Sequence, residues 1–254
     1  MTGSLRDRVA LVTGGSRGVG AATVVELARA GADVVVNYRN KARRADEVAA
    51  AARELGVRAI AVPADITDEE ALAAMVERVR AELGRLDVLV LNASGGMEKE
   101  LVAADPDYAM RINRDANLRL VELARPLMPR GGVIVHVTSH LAHFYGRIAQ
   151  PPVYEPVARS KHAGEAALGA LAPELAASGL RLVVVSGDLI EDTIVPRLMD
   201  RLTPGLIEGR RARAGALPTT ADMAAAIVRA ALDASLPTGA VLFVGDGELP
   251  LTAR

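Results

Sequence analysis

The fold is decided by the stretch VALVTGGSRGVG, residues 9–20. An apolar run of strand length leads into a turn that contains Gly14, Gly18 and Gly20, and a helical pattern follows. Glycines in such a turn let backbone N–H groups approach a pyrophosphate, and the helix N-terminus favours its negative charge. Turns and tight packing also use glycine for structural reasons alone. Because this turn joins a strand to a helix, the stretch predicts a nucleotide site.

The same alternation of short apolar runs and Ala-rich helical segments continues along the chain. It is typical of βαβ units that build a parallel sheet with helices on both faces. We therefore predict an α/β fold with one Rossmann-like, doubly wound parallel sheet of about seven strands, in a single domain over residues 1–254. The predicted strands are 9–14, 32–38, 58–65, 86–94, 132–139, 180–187 and 240–246. The predicted helices are 18–30, 41–55, 68–83, 107–128, 157–178 and 220–234.

The composition narrows the class of protein. The 254 residues are 50% hydrophobic, which is enough for one large domain with a buried core. With 30 basic and 31 acidic side chains the net charge is −1, which disfavours nucleic acid or an anionic membrane as a partner. The absence of cysteine excludes disulfides and thiolate ligands, and we predict no metal site. The N-terminal segment lacks the apolar core of a signal peptide, so we expect a cytoplasmic protein.

The end of the second predicted strand bears on the choice of dinucleotide. A carboxylate there would bind the 2′-hydroxyl of NAD, whereas basic residues suit the 2′-phosphate of NADP. This strand ends in Asn37-Tyr38-Arg39, without a carboxylate. Arg39, together with Arg17 from the glycine turn, can pair with a phosphate. The alternative is two solvated surface arginines, and we expect NADP(H) to be preferred over NAD(H).

At this point the chain resembles the short-chain dehydrogenase/reductase family, in its 3-oxoacyl reductase and ketoreductase branch, from about Leu5 to about Glu248. The resemblance is carried by the glycine turn Thr13-Gly14-Gly15-Ser16-Arg17-Gly18-Val19-Gly20, by Asp65-Ile66 after the third strand, and by Asn113, Ser139 and Lys161. It implies that Ser16, Val19, Asp65 and Ile66 contact the cofactor. It also implies that Leu91-Asn92-Ala93-Ser94 and Ser186-Gly187 stand where the family has NNAG and PG.

The resemblance implies an oxidoreductase in which hydride passes between a nicotinamide and a carbonyl carbon while a phenol protonates the oxygen. In the family, Ser139 would bond the substrate oxygen and Asn113 would hold a water in the proton path. Lys161 would hold the ribose and lower the pKa of a tyrosine four residues earlier. That position is Val157, so the usual acid is absent.

Tyr154 is the first candidate for the displaced acid. Pro156 suits the first turn of a helix and biases Glu155 away from helical geometry, so Tyr154 is expected just before the helix, able to fold back toward the nicotinamide. Tyr145, His140 and His143, in the long loop after Ser139, are the other candidates. His136, within the strand pattern, is interpreted as a satisfied core residue.

Features at the substrate end are less specific. Thr193 stands near the place where the resembled family uses a threonine on the nicotinamide carboxamide, and Gly187 precedes it. The carboxylates Asp188, Glu191 and Asp192 form either a solvated surface or a filter against acidic substrates. Residues 194–218 have the composition of a substrate lid. We interpret the arginine run within them, Arg210-Arg211-Ala212-Arg213, as the exposed face of a short helix.

Three functions remain open. The first is an NADP(H)-dependent reductase or dehydrogenase acting on a small-molecule carbonyl or alcohol, with the acid displaced to Tyr154. The second is an NADP(H)-binding sensor or scaffold without redox turnover. The third is a lyase or epimerase that uses His140 and His143 for proton transfer. The resemblance further implies a homodimer or homotetramer assembled through helices 107–128 and 157–178.

Overall fold

A computed structural model describes residues 4–246, and they form one seven-stranded parallel sheet with helices on both faces. The ends of the predicted domain 1–254, and Glu248 at the limit of the family likeness, lie outside the described residues. The predicted α/β class and all seven strands are confirmed. The strands are β1 Val9–Val12, β2 Asp33–Tyr38, β3 Ala59–Pro63, β4 Val88–Leu91, β5 Val133–Ser139, β6 Arg181–Gly187 and β7 Ala240–Val244.

The strand order determines where a ligand can bind. The order across the sheet is β3-β2-β1-β4-β5-β6-β7, so the winding reverses between β1 and β4. In a doubly wound sheet, ligands bind in the crevice outside the carboxyl ends of the strands at this reversal. The pairing of Ser139 with Gly187 places the ends of β5 and β6 side by side at the same edge of the sheet.

Helices cover both faces of the sheet because alternate strand residues are apolar on both sides. The helices are α1 Gly18–Arg29, α2 Ala42–Glu54, α3 Glu69–Leu83, α4 Lys99–Ala104, α5 Tyr108–Met110, α6 Ala116–Ala124, α7 His140–His143, α8 Glu155–Ala170, α9 Ala172–Ala177, α10 Ile194–Leu202, α11 Leu206–Ala214 and α12 Thr220–Leu232. Val133 and Val135 of β5 join the buried cluster under α1, α2 and α12, while Ile134 joins the cluster under α3, α6 and α8.

Two predicted helices differ from the structure. The segment 107–128 is not continuous: a π-helical turn, Arg111–Asp115, separates α5 from α6, and a 3₁₀ turn, Arg125–Leu127, ends it. The segment 157–178 begins two residues earlier, at Glu155, and is divided into α8 and α9. At the start of α3, the Asp68 carboxylate caps the helix by accepting a hydrogen bond from Ala71 N at 3.0 Å. The oligomer expected through these helices stays a prediction.

The segment 194–218 contains α10 and α11, which pack over the carboxyl ends of β5 and β6 against a third apolar cluster that includes Tyr154, Val157 and Met199. The segment therefore has secondary structure of its own, and its role as a lid stays a prediction. Within the described residues, no helix combines the length and hydropathy needed to cross a bilayer.

Candidate active site

The glycine turn is built for close backbone approach. Gly14 and Gly18 both have left-handed backbone angles, with φ of 63° and 53°. A Cβ on Gly20 would lie only 2.3 Å from the carbonyl oxygen of Gly14. Because Asn37 Oδ1 accepts a hydrogen bond from Gly14 N at 3.2 Å, the end of β2 holds the turn in place. The turn therefore presents α1 end-on, as a phosphate site requires.

Asn37 supports the turn, and both polar atoms of its side chain are already hydrogen-bonded within the protein. It is buried, and its amide nitrogen donates to Ala64 O at 3.1 Å and more weakly to Val62 O at 3.5 Å. Its polar atoms are thus used by the protein. The direct contact of Asn37 with a cofactor stays a prediction, and the structure shows the side chain supporting the turn from beneath.

Thr13 and Asn92 tie β1 to β4 at the reversal of the sheet. Thr13 Oγ1 accepts from Asn92 N at 2.9 Å and from Ala93 N at 3.0 Å. The Asn92 amide donates back to Thr13 O at 2.9 Å. These bonds fix the floor of the crevice, and Asn92 and Ser94 both lie on its wall.

The adenosine end contains a contact that the sequence did not predict. Arg39, at the end of β2, donates a hydrogen bond of 2.8 Å to the hydroxyl of Tyr108 on α5, and lies 3.9 Å from the carboxylate of Asp65. Asp65 also accepts from the Thr67 hydroxyl at 2.7 Å, while Ile66 beside it is buried. No local signal could have found the Tyr108 contact, since 69 residues separate the partners.

A cavity of about 780 Å³ runs from the glycine turn along the carboxyl ends of β4, β5 and β6 to α10 and α11. The predicted site residues on its wall are Arg17, Val19, Asn92, Ser94, Ser139, Tyr154, Lys161, Gly187 and Thr193. The other predicted residues lie outside this wall, in the glycine turn, at the ends of β2, β3 and β4, and beneath α8. They are Gly14, Ser16, Gly18, Gly20, Asn37, Tyr38, Arg39, Asp65, Ile66, Ala93 and Asn113.

Ser139 and Tyr154 meet in this cavity. Ser139 ends β5, and its Oγ accepts from Ala142 N at 3.2 Å, which starts α7. The same Oγ lies 3.2 Å from the phenolic oxygen of Tyr154. Tyr154 immediately precedes α8, so its predicted place outside the helix is confirmed. Burial raises the pKa of the Tyr154 phenol, and the hydrogen bond with Ser139 opposes that shift.

Asn113 lies at the centre of the π-helical turn. Its amide donates to Gly95 O at 2.8 Å and to the hydroxyl of Ser160 at 2.9 Å. α8 packs directly on the widened turn because Gly164 has no Cβ. A Cβ there would lie 2.2 Å from the Asn113 carbonyl oxygen. The turn thus couples Asn113 to the helix that carries Lys161, as π-turns often do at functional sites.

Lys161 is a buried amine that faces the cavity. Only 8% of the residue is exposed, and no hydrogen bond or ion pair joins its ammonium group to another residue within 4–246. Burial lowers the pKa of Lys161 to about 8, against the opposing charge of Glu165 one turn later. An amine in this position is available to hydroxyl groups of a bound molecule.

The alternative acids are bound to other partners. The Tyr145 hydroxyl donates to the Glu155 carboxylate at 2.5 Å, and His143 Nδ1 lies 2.6 Å from Glu165 Oε1. Of the three, only His140 is on the cavity wall, where its Nδ1 is 2.9 Å from the hydroxyl of Ser186. Burial lowers the pKa of His140 to about 4.

The acidic loop and the arginine run also differ from expectation. Arg210 is buried, and its guanidinium holds Asp188 with bonds of 2.6 and 2.9 Å to Oδ2. The interpretation of the whole run as an exposed helix face is wrong for Arg210, although Arg211 and Arg213 are exposed. Asp188 is likewise neither solvated nor a free negative charge, because the ion pair joins the end of β6 to α11. Thr193, on the same wall, donates to Ile190 O at 2.9 Å.

His136 is buried in the core, as expected. Neither ring nitrogen has a hydrogen-bond partner among the protein groups of residues 4–246. Burial, reinforced by the charge of Lys161, lowers the pKa of His136 to about 3. The core position is therefore confirmed, and the described protein groups do not supply the expected hydrogen bonds.

Comparison with known proteins identifies the family. The model of the short chain dehydrogenase family matches residues 8–198. The chain belongs to the short chain dehydrogenase family. The resemblance drawn from the glycine turn and from Asn113, Ser139 and Lys161 is thereby confirmed. That family includes the named reductases and dehydrogenases that this chain matches.

Individual members of the family are similar over different lengths. The chain is 36% identical over 190 residues to a 1-cyclohexenylcarbonyl-CoA reductase of Streptomyces collinus, covering 73% of this chain and 66% of that one. It is 35% identical over 252 residues to a cis-4-hydroxycyclohexanecarboxylate dehydrogenase of Sinomonas cyclohexanicum, covering 95% and 96%. The matches to several other curated reductases span only about half of their length.

A solved structure shows the same arrangement. A short chain dehydrogenase from Burkholderia cenocepacia J2315, in complex with NADP, superposes with a TM-score of 0.81 at 33% identity, covering 94% of this chain and 97% of that one. The glycine turn at the sheet reversal and the partnerless Lys161 amine in the cavity fit a nicotinamide dinucleotide.

Proposed function

We propose that this chain is an NADP(H)-dependent carbonyl reductase or alcohol dehydrogenase in which the Tyr154 phenol replaces the usual acid. The observation that carries the proposal is the 3.2 Å separation of Ser139 Oγ and Tyr154 Oη on the cavity wall. A carbonyl oxygen within reach of both hydroxyls would accept two hydrogen bonds, one of which can become the proton transfer. Val157, at the usual position of the acid, has no proton to give.

The dinucleotide would lie across the carboxyl ends of the strands, with its pyrophosphate at the glycine turn and its ribose hydroxyls at Lys161. Arg17, Asn92, Ser94 and Thr193 line the same path. When bound, the nicotinamide supplies the hydride. Asn113 does not face the cavity; it holds the π-turn against α8, and so positions Lys161.

The titration of Tyr154 and Lys161 suits reduction. Because burial raises the pKa of Tyr154, the phenol keeps its proton at neutral pH and can donate it. Because the pKa of Lys161 is about 8, its amine is mostly charged at pH 7 and attracts hydroxyl oxygens. A protonated phenol favours carbonyl reduction over alcohol oxidation in this pH range.

Three features support NADP(H) over NAD(H). The end of β2 carries no carboxylate for a 2′-hydroxyl, and Arg39 stands there instead. Tyr108 holds the guanidinium of Arg39 at the adenosine end. The Burkholderia relative was solved with NADP.

The lining of the substrate end supports an apolar, ring-containing ketone as the substrate. The charge of Arg210 is committed to Asp188, and Glu98 accepts bonds from Gly96 N and Met97 N. Apolar side chains otherwise dominate the wall there: Met97, Leu141, Val157, Leu189, Val195, Met199 and Leu206. The Streptomyces and Sinomonas relatives are named for six-membered-ring substrates, which agrees with this lining.

The test is titration of the purified protein with NADPH and NADH, followed by a panel of cyclic and polycyclic ketones assayed by loss of NADPH absorbance. We expect tighter binding of NADPH and turnover of at least one ketone. Tyr154→Phe should then lower kcat by about 10² to 10⁴-fold, the usual contribution of a general acid.

Tyr145→Phe is the matched control, because its hydroxyl belongs to the same loop but bonds to Glu155. We expect it to keep near-normal turnover. Full activity in Tyr154→Phe would remove Tyr154 as the acid. Tight NADPH binding with no turnover on any ketone would favour a binding protein without redox chemistry.

A further inference from the structure

His136 is a buried titratable group that the proposed reaction does not use. It lies three residues before Ser139 on β5, paired in register with Leu91 on one side and Val184 on the other. Only 1% of the residue is exposed. Because side chains alternate along a strand, it shares the face of Ile134 and Thr138, which is turned toward α6 and α8.

The polar atoms of this face are unsatisfied. Both ring nitrogens of His136 and the hydroxyl of Thr138 are buried, and none has a hydrogen-bond partner within residues 4–246. More than about 90% of buried polar atoms in native proteins are satisfied by protein or by ordered water, and a buried water needs two to four polar partners. An orphaned imidazole beside an orphaned hydroxyl supplies such partners.

Lys161 supplies the remaining partner. Its amine faces the cavity wall that Thr138 also lines, and its charge acts on His136. His136 and Lys161 share no direct hydrogen bond, since the ring nitrogens are unpartnered. His136 lies on β5 and Lys161 on α8, and these two elements pack against each other, so a bridging water can join two groups that share no direct bond.

We propose that His136 is a positioning residue for Lys161: its neutral ring accepts a hydrogen bond from a buried water that also bonds the Lys161 ammonium group and the Thr138 hydroxyl. The bridge stabilises the charged form of the buried lysine. It would keep Lys161 protonated and fix its amine where ribose hydroxyls would lie. The proposal rests on the proposed function only for the use made of Lys161.

The other charged groups around Lys161 act differently. On its own helix, Glu165 favours the charged lysine, and His143 from α7 bonds to that carboxylate. From the sheet, the neighbours of His136 in β4 and β6 are the apolar Leu91 and Val184. The sheet groups that can bond a water beneath the ammonium group are therefore His136 and Thr138.

The test is the pKa of Lys161 in the free protein, measured by NMR of lysine labelled at Cε. The chain contains three lysines, so Lys161→Met assigns the signal. We expect His136→Leu, which keeps bulk and loses both nitrogens, to lower the pKa of Lys161 by about one unit, a tenfold loss of proton affinity. His136→Gln, which keeps a polar group, should stay close to the parent.

His162→Leu is the matched control, because His162 is also on α8 but bonds to Ala142 O at 3.0 Å. It should leave the Lys161 titration in place. An unchanged Lys161 pKa in a folded His136→Leu protein would overturn the proposal, and so would a His136→Gln variant that behaves like leucine.

A second measurement does not depend on a variant folding. In ¹⁵N-histidine spectra of the parent protein, which has four histidines, one nitrogen of His136 should show the shift of a hydrogen-bonded acceptor. A free acceptor nitrogen would contradict the bridge. Neither measurement uses NADPH or a ketone, so their outcome is separate from that of the turnover assay.

Discussion

The two halves of the site differ in how their polar groups are held. In the cofactor half, Thr13, Asn37 and Asn92 bond to backbone of the neighbouring strand ends, and the glycine turn follows directly from its sequence. The bond between Arg39 and Tyr108 is the exception there. In the substrate half, the decisive contacts are side chain to side chain across long separations, as between Asp188 and Arg210. Motifs encode the first kind of contact, whereas the second depends on the whole fold.

The largest loss of unfolding free energy is expected in the substrate half, where the pair of Asp188 and Arg210 joins β6 to α11. Arg210→Met leaves Asp188 buried without its partner, which typically costs about 3 to 5 kcal/mol of unfolding free energy. Arg211→Met removes the exposed neighbour on the same helix, whose pair with Glu191 should contribute under about 1 kcal/mol. Urea unfolding of both variants measures the contrast. Equal losses of unfolding free energy in the two variants would mean that the buried pair contributes no more stability than the surface pair.

The next largest effect is a loss of stability at low pH, caused by the buried His136 and His140. The pKa values of His136 and His140 are about 3 and about 4 in the folded protein, below the ordinary 6.5. The unfolded chain therefore binds more protons below pH 6.5, and stability falls as pH drops from there toward 4, by about 1.4 kcal/mol per pH unit for each histidine. Unfolding of His136→Leu between pH 7 and pH 4 should show a shallower decline than the parent. A parallel decline would contradict the low pKa of His136.

The smallest effect is expected in the cofactor half. Tyr108→Phe removes the hydroxyl that holds Arg39, so the guanidinium loses one fixed orientation but stays present. We expect NADPH affinity to fall by about five- to tenfold, the equivalent of one ordinary hydrogen bond, with NADH affinity nearly unchanged. Titration of the variant with both dinucleotides, against Arg39→Ala as the stronger perturbation, measures this. A loss that is equal for NADPH and NADH would assign Tyr108 to packing.

The seven strands of the sheet can be predicted from the sequence, because each strand is a buried apolar run bounded by turns. It also placed Tyr154 before α8, since Pro156 can occupy only the first turn of a helix. It could not place Arg210, because an arginine in a run of arginines on a polar helix is normally exposed, and only the position of Asp188 buries it. The broken helix 107–128 was missed because a π-turn has no local sequence signal.

The π-turn makes the site sensitive to insertions and deletions in residues 111–115. It contains one residue more per turn than an α-helix, so deletion of a single residue between 111 and 115 would restore regular winding. The upstream segment with Tyr108 would then rotate by about 100° relative to α6. The Tyr108 hydroxyl and the Asn113 amide would then no longer point toward Arg39 and α8 at the same time. A length change of one residue there would separate the Arg39–Tyr108 contact from the Asn113–Ser160 contact, although every side chain named above would still be present.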